Sequence, residues 1–439
     1  MAGGGFMQAC TASRAIPLQN QSQIPAKRVA PRGFGVSQPV GAVVIRVGDD
    51  AARVVNAVTV PTTFWFAPGV HVLSAPLTMW AAHTLLGGPG SVISVGANEM
   101  AVRGSVDGVT IRGLTFDGGQ ARDQRATVEA FEAKRWTISG NEIRNGRAFG
   151  VFAGAYTTVS GNWIHDNGQG GVKAWAPGSG ADGVVVTGNE ISSNNTRRVN
   201  VFWEAGGFKM VSGSSAVVSG NWFHDNWGWG VWFDYAEGNH QVIDNTFERE
   251  SYGGVTYEAS GPGTQIAYNT FIGCGFVADS ESEPRLLWSG AVYVFAAPVE
   301  IHHNVGVDNR GTVGFLQSPR DNDAKDPYRY SIAGSSVHDN DWTVKAGVRG
   351  VTGMKVNSNA DWAPYPSFGQ SYIDAFKNAV TYSRNTYRGI GASTPSINYW
   401  EPNGVEQRFI WGDISVSPTK AGTNPKTWAT FHPNDGPYN

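Results

Sequence analysis

Cysteine and charge are both scarce in this 439-residue chain. The two cysteines, Cys10 and Cys274, lie far apart in unrelated contexts, so they form neither a disulfide framework nor a Cys-x-x-Cys metal site. Only 16% of residues are charged, 33 basic against 36 acidic, and there is no long Lys/Arg run; this balance excludes a nucleic-acid-binding footprint. No apolar run reaches the roughly 18 residues of a membrane-spanning helix, so membrane insertion is not expected. Leucine is sparse, which excludes leucine-rich repeats. The segment from Met1 to Gln21 has no basic stretch followed by an apolar one, as a secretory signal would. The expectation is release by another route, such as cell lysis, or a leader lying outside this sequence. What the chain does have is glycine, 57 residues of it, together with 16 Trp, 14 Tyr and 21 Phe. At 41% hydrophobic and a formal charge of −3 it is a folded protein, and its glycines lack the every-third-residue period of collagen.

An internal repeat organises the middle of the chain. The phrase apolar-x-Gly-Asn-x-apolar occurs as Ile138-Ser-Gly-Asn141-Glu-Ile143, Val159-Ser-Gly-Asn162-Trp-Ile164, Val186-Thr-Gly-Asn189-Glu-Ile191 and Val218-Ser-Gly-Asn221-Trp-Phe223. Weaker copies end at Asn245, Asn269, Asn304, Asn340 and Asn385, giving spacings of 21, 27, 32, 24, 24, 35, 36 and 45 residues. A Gly-Val pair follows four of these asparagines, at Gly150, Gly171, Gly230 and Gly254. Between landmarks the apolar residues alternate with period two, the signature of strands and not of helices. Short strands joined by Gly/Asn turns predict a parallel β-solenoid, each coil laid about 4.8 Å from the last. Asparagine tolerates the left-handed turn conformation and bonds neighbouring backbone, so the repeated asparagines are read as a structural ladder. His165 and His224, each in a His-Asp-Asn turn, are read the same way.

These phrases resemble the right-handed parallel β-helix superfamily, the pectate-lyase-like fold. The resemblance covers roughly residues 60–345, with Phe66–Leu73 and Leu86–Ile93 as its first coils. It implies an all-β, single-stranded right-handed parallel β-helix of about 9–10 coils over residues 58–350. Residues 1–57 are expected as an N-terminal arm and cap, and 351–439 as an irregular C-terminal capping or interaction region with one helix-like run, Tyr372–Val380. The superfamily includes polysaccharide lyases, glycoside hydrolases, epimerases, phage tailspikes and adhesins, so function must be argued from a site.

Counting two and four positions beyond each landmark glycine places Lys173, Trp175, Lys209, Trp232, Asp234 and Glu258 on one outward stripe. The intervening Val172, Phe208, Val231, Phe233, Val255 and Tyr257 form the inward set. Asp234 and Glu258 then sit at equivalent positions on successive coils. Two carboxylates so close form an acid/base arrangement of the kind used in glycoside hydrolysis, with separations of about 5–5.5 Å for retention and 6.5–9.5 Å for inversion. Glu204, in the insertion before Gly207, is a candidate third carboxylate leaning over the stripe. Lys209 is expected to neutralise a substrate carboxylate or to act on a carboxyl pKa. Lys173 completes the binding set, with Trp175 and Trp232 offering flat faces to sugar rings. Asp225, with Trp227 or Trp229, is a weaker addition in the turn before Gly230.

The chain departs from several relatives: it lacks the paired Asp of polygalacturonases and the Asp-Pro-His-Asp of mannuronan epimerases. Elimination would require a base such as Lys209, Tyr257 or Tyr293, and would add a Ca²⁺ ion. Hydrolysis requires no cofactor or metal and is the favoured reading. The expected partner is an extended polysaccharide or cell-surface glycan. Two settings follow, an extracellular enzyme or a phage tailspike in the virion, the latter packed as a homotrimer. The alternative is a structural or glycan-binding phage tail protein without turnover.

Overall fold

A computed structural model of the chain describes residues 34–276 except 177 and 179, then 290–319 and 330–344, and only short stretches beyond 351. Three long sheets run the length of the molecule, and each coil contributes one short strand to each. One coil reads Thr137–Ser139, Glu142–Arg144 and Phe149–Ala153, and the next reads Thr158–Ser160, Trp163–His165 and Gly170–Ala174. Every strand of the first coil pairs in parallel with its counterpart in the second. About 11 such turns stack, somewhat more than the sequence repeat suggested. Strands Thr352–Val356, Val380–Ser383 and Thr386–Arg388 continue the same three sheets beyond residue 350. The run Tyr372–Val380 lies for the most part outside the described residues.

The core follows directly from the repeat. Each coil points one large apolar residue inward from each sheet: Ile138, Ile143 and Val151, then Val159, Ile164 and Val172, later Val218, Phe223 and Val231, all fully buried. Equivalent residues stack coil on coil, and Phe223, Phe247 and Phe271 lie with ring centroids 5.1 and 4.9 Å apart at 9°. Burial of each such side chain contributes about 1.5–3 kcal/mol. At the N-terminal end the short helix Ala51–Asn56, capped by Asp50, inserts Ala51, Ala52 and Val55 into this core.

The turn between first and second sheets is built on the asparagines. Asn141 donates its side-chain amide to Oδ1 of Asn162 at 3.0 Å, and the chain of bonds continues through Asn189, Asn221, Asn245, Asn269, Asn304 and Asn340 to Asn385. Each Oδ1 also accepts the backbone N–H of the preceding ladder residue, as Asn189 Oδ1 does from Asn162 at 2.9 Å. A second ladder, Asn167–Asn194–Asn226, runs at the next corner.

One expectation about direction is corrected here. The landmark glycines do not share a face with Lys173 and its equivalents. A Cβ on Gly171 would lie 2.6 Å from Ile191 Cγ2, and one on Gly254 would lie 2.4 Å from Phe271 Cδ1. These glycines point inward at the corner, and the valine after each is also inward. The alternation that sets the outer stripe begins at that valine.

Candidate active site

The outer face of the third sheet carries the charged stripe. Along it, strand register aligns Glu129, Phe152, Lys173, Lys209, Trp232, Thr256 and Tyr293 in one row. The neighbouring outward row contains Val211, Asp234, Glu258, Phe295 and Leu316. Asp234 and Glu258 are therefore Cα partners on adjacent strands, Trp229–Asp234 and Gly253–Glu258. Tyr257, between the two rows, is buried in the interior and hydrogen-bonded to Thr264.

Each carboxylate has its own donor. Asp234 Oδ2 accepts from Lys209 Nζ at 2.8 Å. That ammonium also sits 3.0 Å from the centroid of the Trp232 ring and 3.4 Å from the Trp203 carbonyl. Glu258 Oε2 accepts from the Trp232 indole N–H at 3.0 Å. Asp234 Oδ1 is buried without a hydrogen-bond partner. Glu204 reaches over the stripe as expected and pairs with Lys173 at 2.8 Å. Burial pushes the Lys173 ammonium below its ordinary pKa, an effect opposed by the Glu204 charge.

Three details differ from the sequence reading. Trp232 is only 3% exposed, its indole lying among Val201, Trp229 and Tyr293 in an apolar cluster outside the coil. Trp175 is half-buried and stacks on Phe131 at 5.0 Å. Neither offers an open flat face. Lys209 is 1% exposed and engaged with Asp234, so it is not available to a substrate carboxylate. The reason in all three is that loop insertions cover this face. Gln169 joins two of them, accepting from the Gln124 backbone and donating to the Glu204 carbonyl, each at 2.8 Å. The Asp123–Arg197 pair, at 2.6 Å, closes the same span. The segment before Gly207 is further pinned by Asn195, which bonds Val199 and the Trp227 carbonyl.

Sequence reasoning missed Glu129, Arg125 and Gln124. Glu129 occupies the same outward row as Lys173, is ion-paired to Arg125, and is held above the usual carboxylate pKa by burial. Gln124 accepts from Lys173. No Gly-Val landmark precedes the strand Ala126–Glu129, so only its periodicity could have indicated it. Asp225 falls elsewhere, in a corner turn at φ +58° with both oxygens bound by Arg249. Trp229 belongs to the exterior apolar cluster and Trp227 packs on its edge.

Beyond the ends of the carboxylate strands the chain turns at Tyr235 and at Ser260. Here a cavity of about 440 Å³ opens, lined by Tyr235, Glu237, Ser260, Pro262, Tyr330 and Ser331 among others. The Tyr235 and Tyr330 rings meet edge-on at 5.5 Å.

Parallel strands, coil-on-coil stacking and the asparagine ladder agree with sequence similarity: the family described as the right handed beta helix region matches residues 100–271 and 176–304. The chain is a right-handed parallel β-helix. No protein of curated function matches it in sequence. Among solved structures, the β-helix resembles the A-module of the Azotobacter vinelandii mannuronan C-5 epimerase AlgE4 (14% identity, 82% of this chain and 98% of that one, TM-score 0.44). It also resembles the catalytic domain of a GH87 α-1,3-glucanase bound to tetrasaccharides (12%, 86% and 70%, 0.49). A third likeness is the Dettilon tailspike protein (13%, 77% and 62%, 0.31). At these identities the likeness concerns the fold alone, which carbohydrate-active enzymes and phage tailspikes share.

Proposed function

We propose that this β-helix cleaves an extended glycan on the outer face of its third sheet, by hydrolysis. The observation that carries the reading is the placement of Asp234 and Glu258 as register partners on adjacent strands. Asp234 is paired to an ammonium, which suits a carboxylate acting as base or nucleophile. Glu258, its register partner on the next strand and an acceptor of the Trp232 indole N–H, is the group assigned to deliver a proton to the leaving oxygen. Lys209 then serves as a positioning residue for Asp234, acting through it and not on the sugar. Engagement of Lys209 with Asp234 and of Lys173 with Glu204 leaves neither ammonium to bind a uronic carboxylate or to abstract a proton beside one. This favours hydrolysis over elimination and a substrate of low negative charge. The adjoining cavity, lined by Tyr235, Tyr330 and Ser331, has a lining suited to a sugar ring. The setting we favour is outside the cell, as a free enzyme or as a trimeric tailspike.

The burial of Lys209 and Trp232 favours a second reading, a glycan-binding or structural tail component in which these pairs only hold the covering loops. A panel of neutral, amino and acidic polysaccharides, with products read by mass spectrometry, separates the two. Products heavier by one water from a neutral or amino glycan support the hydrolase. Unsaturated products, or binding in calorimetry with no product from any glycan, overturn it.

A further inference from the structure

The corner between the first and second sheets, near the C-terminal coils, carries a cluster of imidazoles. His302 and His338 are Cα partners on adjacent coils, with rings parallel within 3° and 5.1 Å apart. The next residue in each coil, His303 and Asp339, occupies a left-handed turn position, φ +54° and +55°. In five earlier coils that position is a left-handed glycine, as at Gly188 and Gly220. A left-handed histidine beside a left-handed aspartate brings two polar side chains to the place where those coils have none. His302 Nδ1 lies 2.9 Å from His303 Nδ1, and His338 Nδ1 lies 2.8 Å from Asp339 Oδ2. One ligand atom each from His303, His338 and Asp339 fall within 4.8 Å of one another, and all three residues are half-buried.

We propose that His303, His338 and Asp339 form a binding site for one divalent metal ion of the zinc class. Two imidazoles and a carboxylate are a borderline nitrogen-rich donor set, which suits Zn²⁺ and not Ca²⁺ or Mg²⁺. The surroundings supply the outer support such ligands use. His338 Nε2 lies 3.1 Å from Glu300 Oε1, so an Nε2–H donated there leaves the Nδ1 lone pair directed at the cluster. Arg384 holds Asp339 through both oxygens at 2.7 and 2.6 Å, fixing its orientation while further lone pairs stay available. A bound metal would be faced by His338 Nδ1 and Asp339 Oδ2, 2.8 Å apart, and partial exposure leaves a coordination position to water.

The molecule contains its own controls. His165 bonds Asp166 at 2.7 Å and Glu142 at 3.2 Å, and His224 bonds Asp225 at 2.7 Å and Glu190 at 3.4 Å. Both repeat the Asp–His–Glu arrangement. The left-handed residues flanking those turns are Asn145, Ser193 and Arg249, so neither has the second imidazole.

The test is calorimetric titration of the untagged full chain with Zn²⁺, alongside thermal melting with and without the ion. One saturable site and a raised melting temperature are expected. His303→Ala and His338→Ala should each weaken binding at least tenfold, and Glu300→Gln should weaken it roughly 10–100-fold. His165→Ala and His224→Ala should bind as the parent does. No saturable site overturns the proposal, as does parent-like binding by His303→Ala, or equal loss in all four histidine variants.

Discussion

The Lys209–Asp234 ion pair is asymmetric at the level of single side chains, and that asymmetry can be measured. Lys209 is sealed, 1% exposed, whereas the Asp234 side chain keeps 19% of its surface. Removal of the carboxylate strands a buried ammonium, whereas removal of the ammonium leaves a partly exposed side chain with its Oδ1 buried. Asp234→Leu is therefore expected to cost about 3–5 kcal/mol in chemical denaturation, and Lys209→Met clearly less. Equal costs would mean that water does not reach Asp234. In the conservative variants Asp234→Asn and Glu258→Gln, which retain shape and a hydrogen-bond acceptor, glycan cleavage is expected to fall about 10²–10⁴-fold with an unchanged circular-dichroism spectrum. Retained activity in both removes them from the chemistry.

The two asparagine ladders show how an element can be readable in sequence. A ladder residue must both accept and donate along the stack, and among small turn formers asparagine does this best; hence one residue type recurs at the first-corner turns from Asn141 to Asn385. The second ladder breaks this rule instructively. After Asn226 the next position is Glu250, fully buried, whose Oε1 accepts from the Asn226 amide at 2.9 Å. Burial raises its pKa well above the ordinary carboxylate value, which favours the neutral acid, and its Oε2 has no hydrogen-bond partner among the described residues, so the amide chain stops here. A group whose folded pKa is raised gives its stability in full below the unfolded value, near 4.5, and loses it as pH rises through the folded value. Glu250→Gln, neutral at any pH, should lose less melting temperature than the parent as pH rises above about 4.5. The opposite sign holds at His240, stacked 4.4 Å from Phe233 inside the coil, whose pKa burial lowers to about 4. This ring stays neutral when folded but takes a proton when unfolded, so stability falls as pH drops from about 6.5 toward 4. The loss is on the order of 3 kcal/mol. His240→Asn should flatten that acid limb in melting curves taken across the window; an unchanged limb would assign it to other groups.

Across the whole molecule, the coil path was legible because each turn of the helix repeats one pattern of buried residues, and stacking enforces it. Val172, Val231 and Val255 fall inward and Lys173, Asp234 and Glu258 outward, because period-two alternation survives from coil to coil. The cover over the site was not legible. It depends on contacts between insertions far apart in sequence, such as Asp123 with Arg197, and on the side-chain directions of Trp232 and Trp175, which periodicity does not fix. The spacings of 27 and 32 residues after Asn162 and Asn189 marked where chain was added, and Glu204 was expected over the stripe, but the burial of Lys209 and Trp232 beneath it was not. The resulting picture is of a rigid scaffold whose adjacent rungs align two acidic side chains beneath a pinned loop. Digestion of a cleaved glycan in water enriched in heavy oxygen tests this most directly. One heavy oxygen is expected in each new reducing end with the parent protein, and none above background with Glu258→Gln. Incorporation by Glu258→Gln at the parent rate, or an unlabelled unsaturated product, would contradict it.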